Sequence, residues 1–315
     1  MKRWLLFGAL ACLPFFVQAF PERPVRIVVP LTPGGSPDTI ARAMAAGLQN
    51  VWTQPVVVEN RPGGSQNIGA DIVAKSAPDG HTWLLAPDNV FSVNPHIGKP
   101  PFDPLTDFVP VTLLARIQFL LVVHPSVPAN SVAELIAYAK AKPGELNHGS
   151  SGNGSPQHLG AAMLQLMTGT KMNHVPYKGA APAVADLLPG RIQVWIGAAN
   201  TLLPHIKEGK LKLLASSAPK RFPNLGDTPT IGEAVPGYSL DPWLGLFVPA
   251  KTPAAVIQAI HAETTKIVNA PELKSKLAAQ GIMIETNSPA EFARYIREDN
   301  ARWGKVIKEA GIKGE

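Results

Sequence analysis

Cysteine is almost absent from this 315-residue chain: the single one, Cys12, lies near its start. Charge is sparse as well. Only 17% of residues are charged, and the 29 basic and 23 acidic side chains gather into no block of one sign. Each shortage removes a class of function. One cysteine cannot supply a disulfide framework or a thiolate metal site. Scattered basic residues without interleaved stacking aromatics do not make a nucleic-acid surface. Beyond the stretch Trp4 to Val17, no apolar run approaches the roughly 20 residues that a membrane-spanning helix needs.

That first stretch is read as an export signal. Lys2 and Arg3 form a basic start, Trp4 to Val17 is continuously apolar, and Val17-Gln18-Ala19 has small residues at the two positions that a signal peptidase reads. Cleavage is expected after Ala19. It would remove Cys12, Lys2 and Arg3, leaving no cysteine and a mild surplus of 27 basic over 23 acidic residues. A lipoprotein start at Cys12 is the competing reading, although Ala9 stands where such signals usually have Leu.

Proline is plentiful, with 32 residues, and glycine numbers 27. The prolines are spread among apolar runs from end to end, which speaks for a folded chain punctuated by Pro rather than a disordered linker. Short β-branched runs at 25–29, 56–58, 82–86, 119–123, 191–196, 212–215 and 244–248 predict strands. Amphipathic segments at 39–48, 68–76, 131–141, 156–167, 181–188, 253–268, 271–279 and 289–310 predict helices. The alternation implies α/β architecture with mainly parallel sheets. Ser36-Pro37, Ser155-Pro156, Thr252-Pro253 and Ser288-Pro289 each set a capping hydroxyl before a proline able to open a helix. Ser131 and Ser288, with Glu134 and Glu291 three residues on, have capping-box spacing.

Three loops concentrate small and polar residues between a predicted strand and a predicted helix. They are Pro30-Leu31-Thr32-Pro33-Gly34-Gly35-Ser36-Pro37-Asp38, Asn60-Arg61-Pro62-Gly63-Gly64-Ser65-Gln66-Asn67, and Gly149-Ser150-Ser151-Gly152-Asn153-Gly154-Ser155. Helix N-termini at strand ends favour anions. The phosphate-binding P-loop pattern is missing, and Gln157 occupies the place of the third glycine in a dinucleotide fingerprint. A small carboxylate therefore suits these loops better than a nucleotide. Catalysis remains an alternative. Asn153 spoils a nucleophile elbow at Ser151, whereas Ser155, His158 and Asp186 can be written as a triad for a secreted serine hydrolase using Ser155 or Ser151. His148, His158 and His174 lack metal-ligand spacing and read as scattered structural histidines.

Taken in order, Pro33-Gly34-Gly35 followed by Asp38, Glu59-Asn60-Arg61-Pro62-Gly63, the 149–154 loop, His174-Val175-Pro176-Tyr177-Lys178-Gly179, Pro204-His205-Ile206 and Trp243 with Gly245 resemble the Bug-type extracytoplasmic receptors. These are the substrate-binding proteins of tripartite tricarboxylate transporters. The resemblance spans the chain beyond its signal. It implies a periplasmic-binding-protein fold of type II kind, in which two α/β domains flank a ligand cleft and are joined by two crossing strands. Domain 1 is then expected over 20–121 plus 246–315, and domain 2 over 122–245. The ligand would be a small carboxylic acid, passed to an integral-membrane permease, and the receptor a periplasmic monomer with no metal, nucleotide or prosthetic group.

The resemblance places Pro33, Gly34, Gly35, Ser36 and Asp38 on one lip of the cleft, with Arg61 and Asn67 near it. Ser151, Asn153, Ser155, Tyr177, Lys178, Gly179 and Ala180 fall on the other. Trp243 is expected in hinge packing. Several positions depart from the family's habit: Leu31-Thr32 replaces an aromatic and its successor, Gln66 a glycine, and Gly197-Ala198 a polar site. A less polar pocket favours a monocarboxylate or a partly apolar dicarboxylate over citrate or aspartate. The same fold would also serve a ligand-sensing module for a membrane signalling protein.

Overall fold

The computed structural model describes residues 20–310, so the expected signal at 1–19 lies outside the described residues. The first segment contains β1 (Val25–Val29), α1 (Ser36–Gln49), β2 (Val56–Asn60), α2 (Asn67–Ala74), β3 (Thr82–Pro87), two four-residue helices α3 (Asn89–Ser92) and α4 (Asn94–Ile97), and β4 (Phe108–Ile117). Next come β5 (Phe119–Val123), α5 (Val132–Ala141), β6 (Asn147–Ser150), α6 (Pro156–Thr168), β7 (Asn173–Pro176), α7 (Ala180–Leu187), β8 (Val194–Ala198), α8 (Ala199–Lys207), β9 (Lys212–Ser216) and α9 (Ile231–Ala234). The chain then returns through β10 (Trp243–Pro249), α10 (Ala254–Val268), α11 (Pro271–Ala278), β11 (Ile282–Ile284) and α12 (Pro289–Ala310).

Two sheets result. The first has strand order β11-β4-β10-β3-β1-β2 and the second β7-β6-β8-β5-β9. The chain leaves the first sheet across Gln118 and re-enters it at Trp243. Pairing is more mixed than expected. β1 runs parallel to β2 and β3, and β6 to β7 and β8, but β10 is antiparallel to β3 and β4, and β5 to β8 and β9. Every antiparallel pair includes β4, β5 or β10, the strands that flank the two crossings.

Helix starts obey local chemistry, with two exchanges of role. Ser155 and Ser131 accept the N–H groups of His158 and Glu134, as caps should. Ser288 and Glu291 bond each other's backbone reciprocally. Ser36, however, does not cap α1. It is already the first helical residue, Gly35 takes the cap position, and the Ser36 hydroxyl bonds Asn200 at 2.7 Å. Likewise Pro253 precedes α10, and the Thr252 hydroxyl donates to the Pro249 carbonyl.

At the second crossing Trp243 is buried, and its ring lies edge-on to Phe292 with centroids 5.3 Å apart. Its Nε1–H donates to Asp299 Oδ2 at 3.0 Å. Behind it lies a second buried carboxyl, Asp88, which accepts the Asn89 N–H at 2.8 Å. Burial, then the proximity of Asp299, pushes the Asp88 pKa well above its ordinary 3.8. The folded state therefore holds this proton more tightly than the unfolded chain. Its stabilising contribution is full below the unfolded value and is lost as pH rises through the folded one. Asp88→Asn keeps the acceptor for the Asn89 N–H and removes the buried charge. It should raise the melting temperature at neutral pH and flatten the decline above about pH 4; lower stability with an unchanged slope in thermal melts would contradict this.

Candidate functional site

Five helix N-termini converge between the sheets, each carrying unpaired N–H groups and about half a positive charge. Gly35, Ser36 and Pro37 bring the start of α1; Gln66 precedes α2; Pro156 and Gln157 begin α6; Ala180 begins α7; Ala198 precedes α8. The loops after β1, β2 and β6 were legible as such starts, whereas α8 was not, because Pro204 interrupts its pattern. Together these residues border a cleft with about 510 Å³ of empty space, its mouth included. Ile117, Phe119, Pro242, Trp243 and Leu244, from the two crossings, form its floor. Among the described residues that line it, none is charged.

Of the expected site residues, Gly35, Ser36, Ser151 and Ala180 line the cleft. Pro33 and Gly34 are exposed on its rim. Asp38 lies inside the first turn of α1, where its Oδ2 accepts from Gly34 N–H and Arg42 Nε, both at 3.0 Å. Burial pushes this carboxyl up, but the bonds from Arg42, Gly34 and Asn60 prevail and hold it below its ordinary value. Arg61 is exposed and paired with Glu59, with Nε 2.6 Å from Oε1. Asn67 accepts from Asn94 Nδ2 at 2.9 Å. Asn153 Oδ1 is buried without a hydrogen-bond partner among the described residues.

Tyr177 turns outward, donating its hydroxyl to Asp186 Oδ2 at 2.8 Å. Burial and that bond push its pKa up to about 12. Lys178 contributes its backbone: its carbonyl accepts Thr32 N–H at 3.4 Å, across the mouth of the cleft. Gly179 lies against the same residue. A Cβ there would fall 2.1 Å from Thr32 Oγ1 and 3.1 Å from Thr32 N. With the Ser36–Asn200 bond, these contacts hold the two lips together.

Among the lining residues that were not expected at the site, three carry hydroxyl or amide side chains: Thr32, Gln66 and Gln157. Thr32 Oγ1, both amide atoms of Gln66 and Gln157 Oε1 are buried without partners among the described residues. Buried polar groups are normally satisfied, so this set offers hydrogen-bonding capacity that a bound molecule or water would meet. Gln66 also has φ 77°, in the left-handed region that favours glycine. The sequence signal was present in the departures from the family's usual residues, of which Thr32 and Gln66 are two.

The written triad is not what the fold assembles. Ser155 caps α6 through its Oγ, His158 Nδ1 accepts the Gly154 N–H at 3.1 Å, and Asp186 is taken by Tyr177 and Arg191. The histidines are not scattered. The parallel β6–β7 register sets His148 beside His174, with rings 5.0 Å apart, and α6 stacks His158 on His174 at 4.0 Å. His174 Nε2 lies 2.6 Å from Ser150 Oγ, so the stack props the loop that leads to Ser151. Burial, then His174 and His158, lowers the His148 pKa to about 3. Among the described residues, no group of His, Cys, Asp and Glu is arranged to hold a metal ion.

The family model for the tripartite tricarboxylate transporter family receptor matches residues 40–312. BugT of Bordetella pertussis (strain Tohama I) is 35% identical over 306 residues, covering 95% of this chain and 93% of BugT. The solved structure of R. palustris Rpa4515 with adipate has 37% identity and a TM-score of 0.90, covering 94% of this chain and 99% of that one. MatC from Rhodopseudomonas palustris with bound malate has 29% identity and a TM-score of 0.87, covering 91% and 100%. The structure of the periplasmic binding protein BugD has 30% identity and a TM-score of 0.90, covering 94% and 100%. With this extent of match, and with the two-sheet fold and interdomain cleft in place, the chain belongs to the tripartite tricarboxylate transporter receptor family.

Proposed function

We propose that this solute-binding receptor captures a small carboxylate in the cleft, closes on it in the periplasm as a monomer, and passes it to a membrane permease without chemically altering it. The observation that carries this reading is the set of buried, partnerless polar atoms on Thr32, Gln66 and Gln157 in a cleft ringed by helix N-termini. Helix N-termini hold a carboxylate without a side-chain cation. Adipate on Rpa4515 and malate on MatC support the ligand class. Gly35, Ser36, Ser151 and Ala180 are the wall in this reading. Pro33, Gly34, Asp38, Arg61, Asn67, Asn153, Ser155, Tyr177, Lys178 and Gly179 shape the lips that meet over the ligand. The domain limits are proposed at Gln118 and just ahead of Trp243, slightly earlier than residues 121 and 246.

Calorimetry of ligand-stripped protein against a panel of organic acids should give one bound carboxylate per chain, and small-angle scattering should show contraction on binding. An activated ester should not be turned over, before or after Ser155→Ala. A panel without any binding, or turnover abolished by Ser155→Ala, would overturn the reading.

Closure should depend on the missing side chain at residue 179. Gly179→Ala inserts a methyl between the lips, so the binding-competent closed state becomes rarer and apparent affinity falls in proportion, by about tenfold or more. The melting temperature of the unliganded protein should change little. Unchanged affinity would show that Thr32 and Gly179 need not meet in the bound state.

A further inference from the structure

The polarity of the cleft narrows the ligand beyond its class, an inference that rests on the receptor reading above. Among the described lining residues there is no Lys, Arg or His to pair with an anion. Leu31, Ile117, Phe119, Trp243 and Leu244 give the ligand an apolar bed. The helix N-termini supply distributed partial charges. Three acids adjoin lining residues in sequence without lining the cleft themselves: Asp38 beside Pro37, Asp88 beside Pro87 and Asp241 beside Pro242. One buried carboxylate is compatible with that field. A second carboxylate would have to share the same partial charges.

What the cleft has instead is neutral hydrogen-bonding capacity. Gln66 is 2% exposed, and both its Nε2 donor and its Oε1 acceptor lack partners. Gln157 is 8% exposed, and its Oε1 is an acceptor without a donor. A carboxylate can only accept, so it would leave both amide oxygens unmatched and facing negative charge. A hydroxyl or a primary amide both donates and accepts. We infer that the ligand is a monocarboxylate with an apolar body and an uncharged donor–acceptor group, a hydroxyl or amide, at its far end, and that Gln66 is the residue that reads this group.

The test compares four probes of matched length by calorimetry: hexanoate, its terminally hydroxylated analogue, the monoamide of adipic acid, and adipate, with the corresponding butanoic series as a second length. The hydroxylated acid or the monoamide should bind at least about tenfold more tightly than the dicarboxylate, and more tightly than the plain acid. Gln66→Met keeps the length of the side chain and removes both hydrogen-bonding atoms. It should lose about tenfold for the hydroxylated acid or amide while leaving the plain acid within about threefold. Unliganded melting temperature checks that the variant folds, and Gln66→Asn, which retains a shorter amide, should recover part of the preference. Dicarboxylate binding as tight as or tighter than the hydroxylated acid and monoamide, or a preference that survives Gln66→Met, would overturn this inference and leave the receptor reading standing. Failure of every acid to bind would overturn both.

Discussion

The cleft depends on one close approach of two backbones. Thr32 follows the first strand of one sheet, Lys178 and Gly179 precede a helix of the other, and the Thr32 N–H donates to the Lys178 carbonyl. That bond needs a residue without a Cβ next to it. Any other side chain at 179 would collide with Thr32 before the donor reached its acceptor. Because the two segments are about 146 residues apart in sequence, a contact between them reports the angle between the domains rather than local structure. Ser36 reinforces it by giving up a capping role and reaching Asn200.

Charge is handled by keeping it outside the cleft. Asp38, Arg42, Glu59, Arg61, Asp186 and Arg191 all lie close in sequence to the cleft loops, and each is paired with a neighbour of its own domain. Asp38 also takes the Gly34 N–H, which orders the loop before α1 while the pairing with Arg42 offsets its charge. What remains toward the ligand is backbone, amide, hydroxyl and hydrocarbon. In such surroundings a hydrogen bond is electrostatically stronger than in water and an unmet one is more costly, so selectivity comes from matching rather than from attraction.

The helices whose starts combine Ser with Pro were plain from sequence, as were the strands rich in Val, Ile and Leu, because those signals are local. β4 was missed although it has ten residues: Pro110 and Thr112 break its apolar run, and it tolerates them because its pairing with β10 is antiparallel and irregular. β6, Asn147-His148-Gly149-Ser150, has almost no strand propensity and exists because β7 and β8 flank it. At the site, the loops were legible and the roles of individual side chains were not. Tyr177 appears in a loop that suits ligand contact, but its hydroxyl finds Asp186 one helix away. Gln66 looked like a lost glycine until its burial and backbone angle were known. The histidine stack and the Asp88–Asp299 neighbourhood join residues far apart in sequence, and no spacing rule foretells such meetings.

The floor of the cleft explains how occupancy reaches the hinge. The two crossings run side by side, with Ile117 N–H bonded to the Pro242 carbonyl at 2.9 Å, and the β4–β10 ladder slips in register after Leu244 and again after Leu246. Such irregularities bend a strand and increase its twist. Ile117, Phe119, Pro242, Trp243 and Leu244 thus belong both to the crossings and to the cleft floor, and in the proposed reading to the hinge and the ligand's bed. A ligand shifts a conformational balance only through contacts that differ between the two states. Contacts with the lips form on closure, whereas contacts with the floor are made by the hinge itself. An apolar body resting on that floor therefore bears on the angle directly, and the polar ends need only find the helix termini and the Gln66 amide once the lips have met.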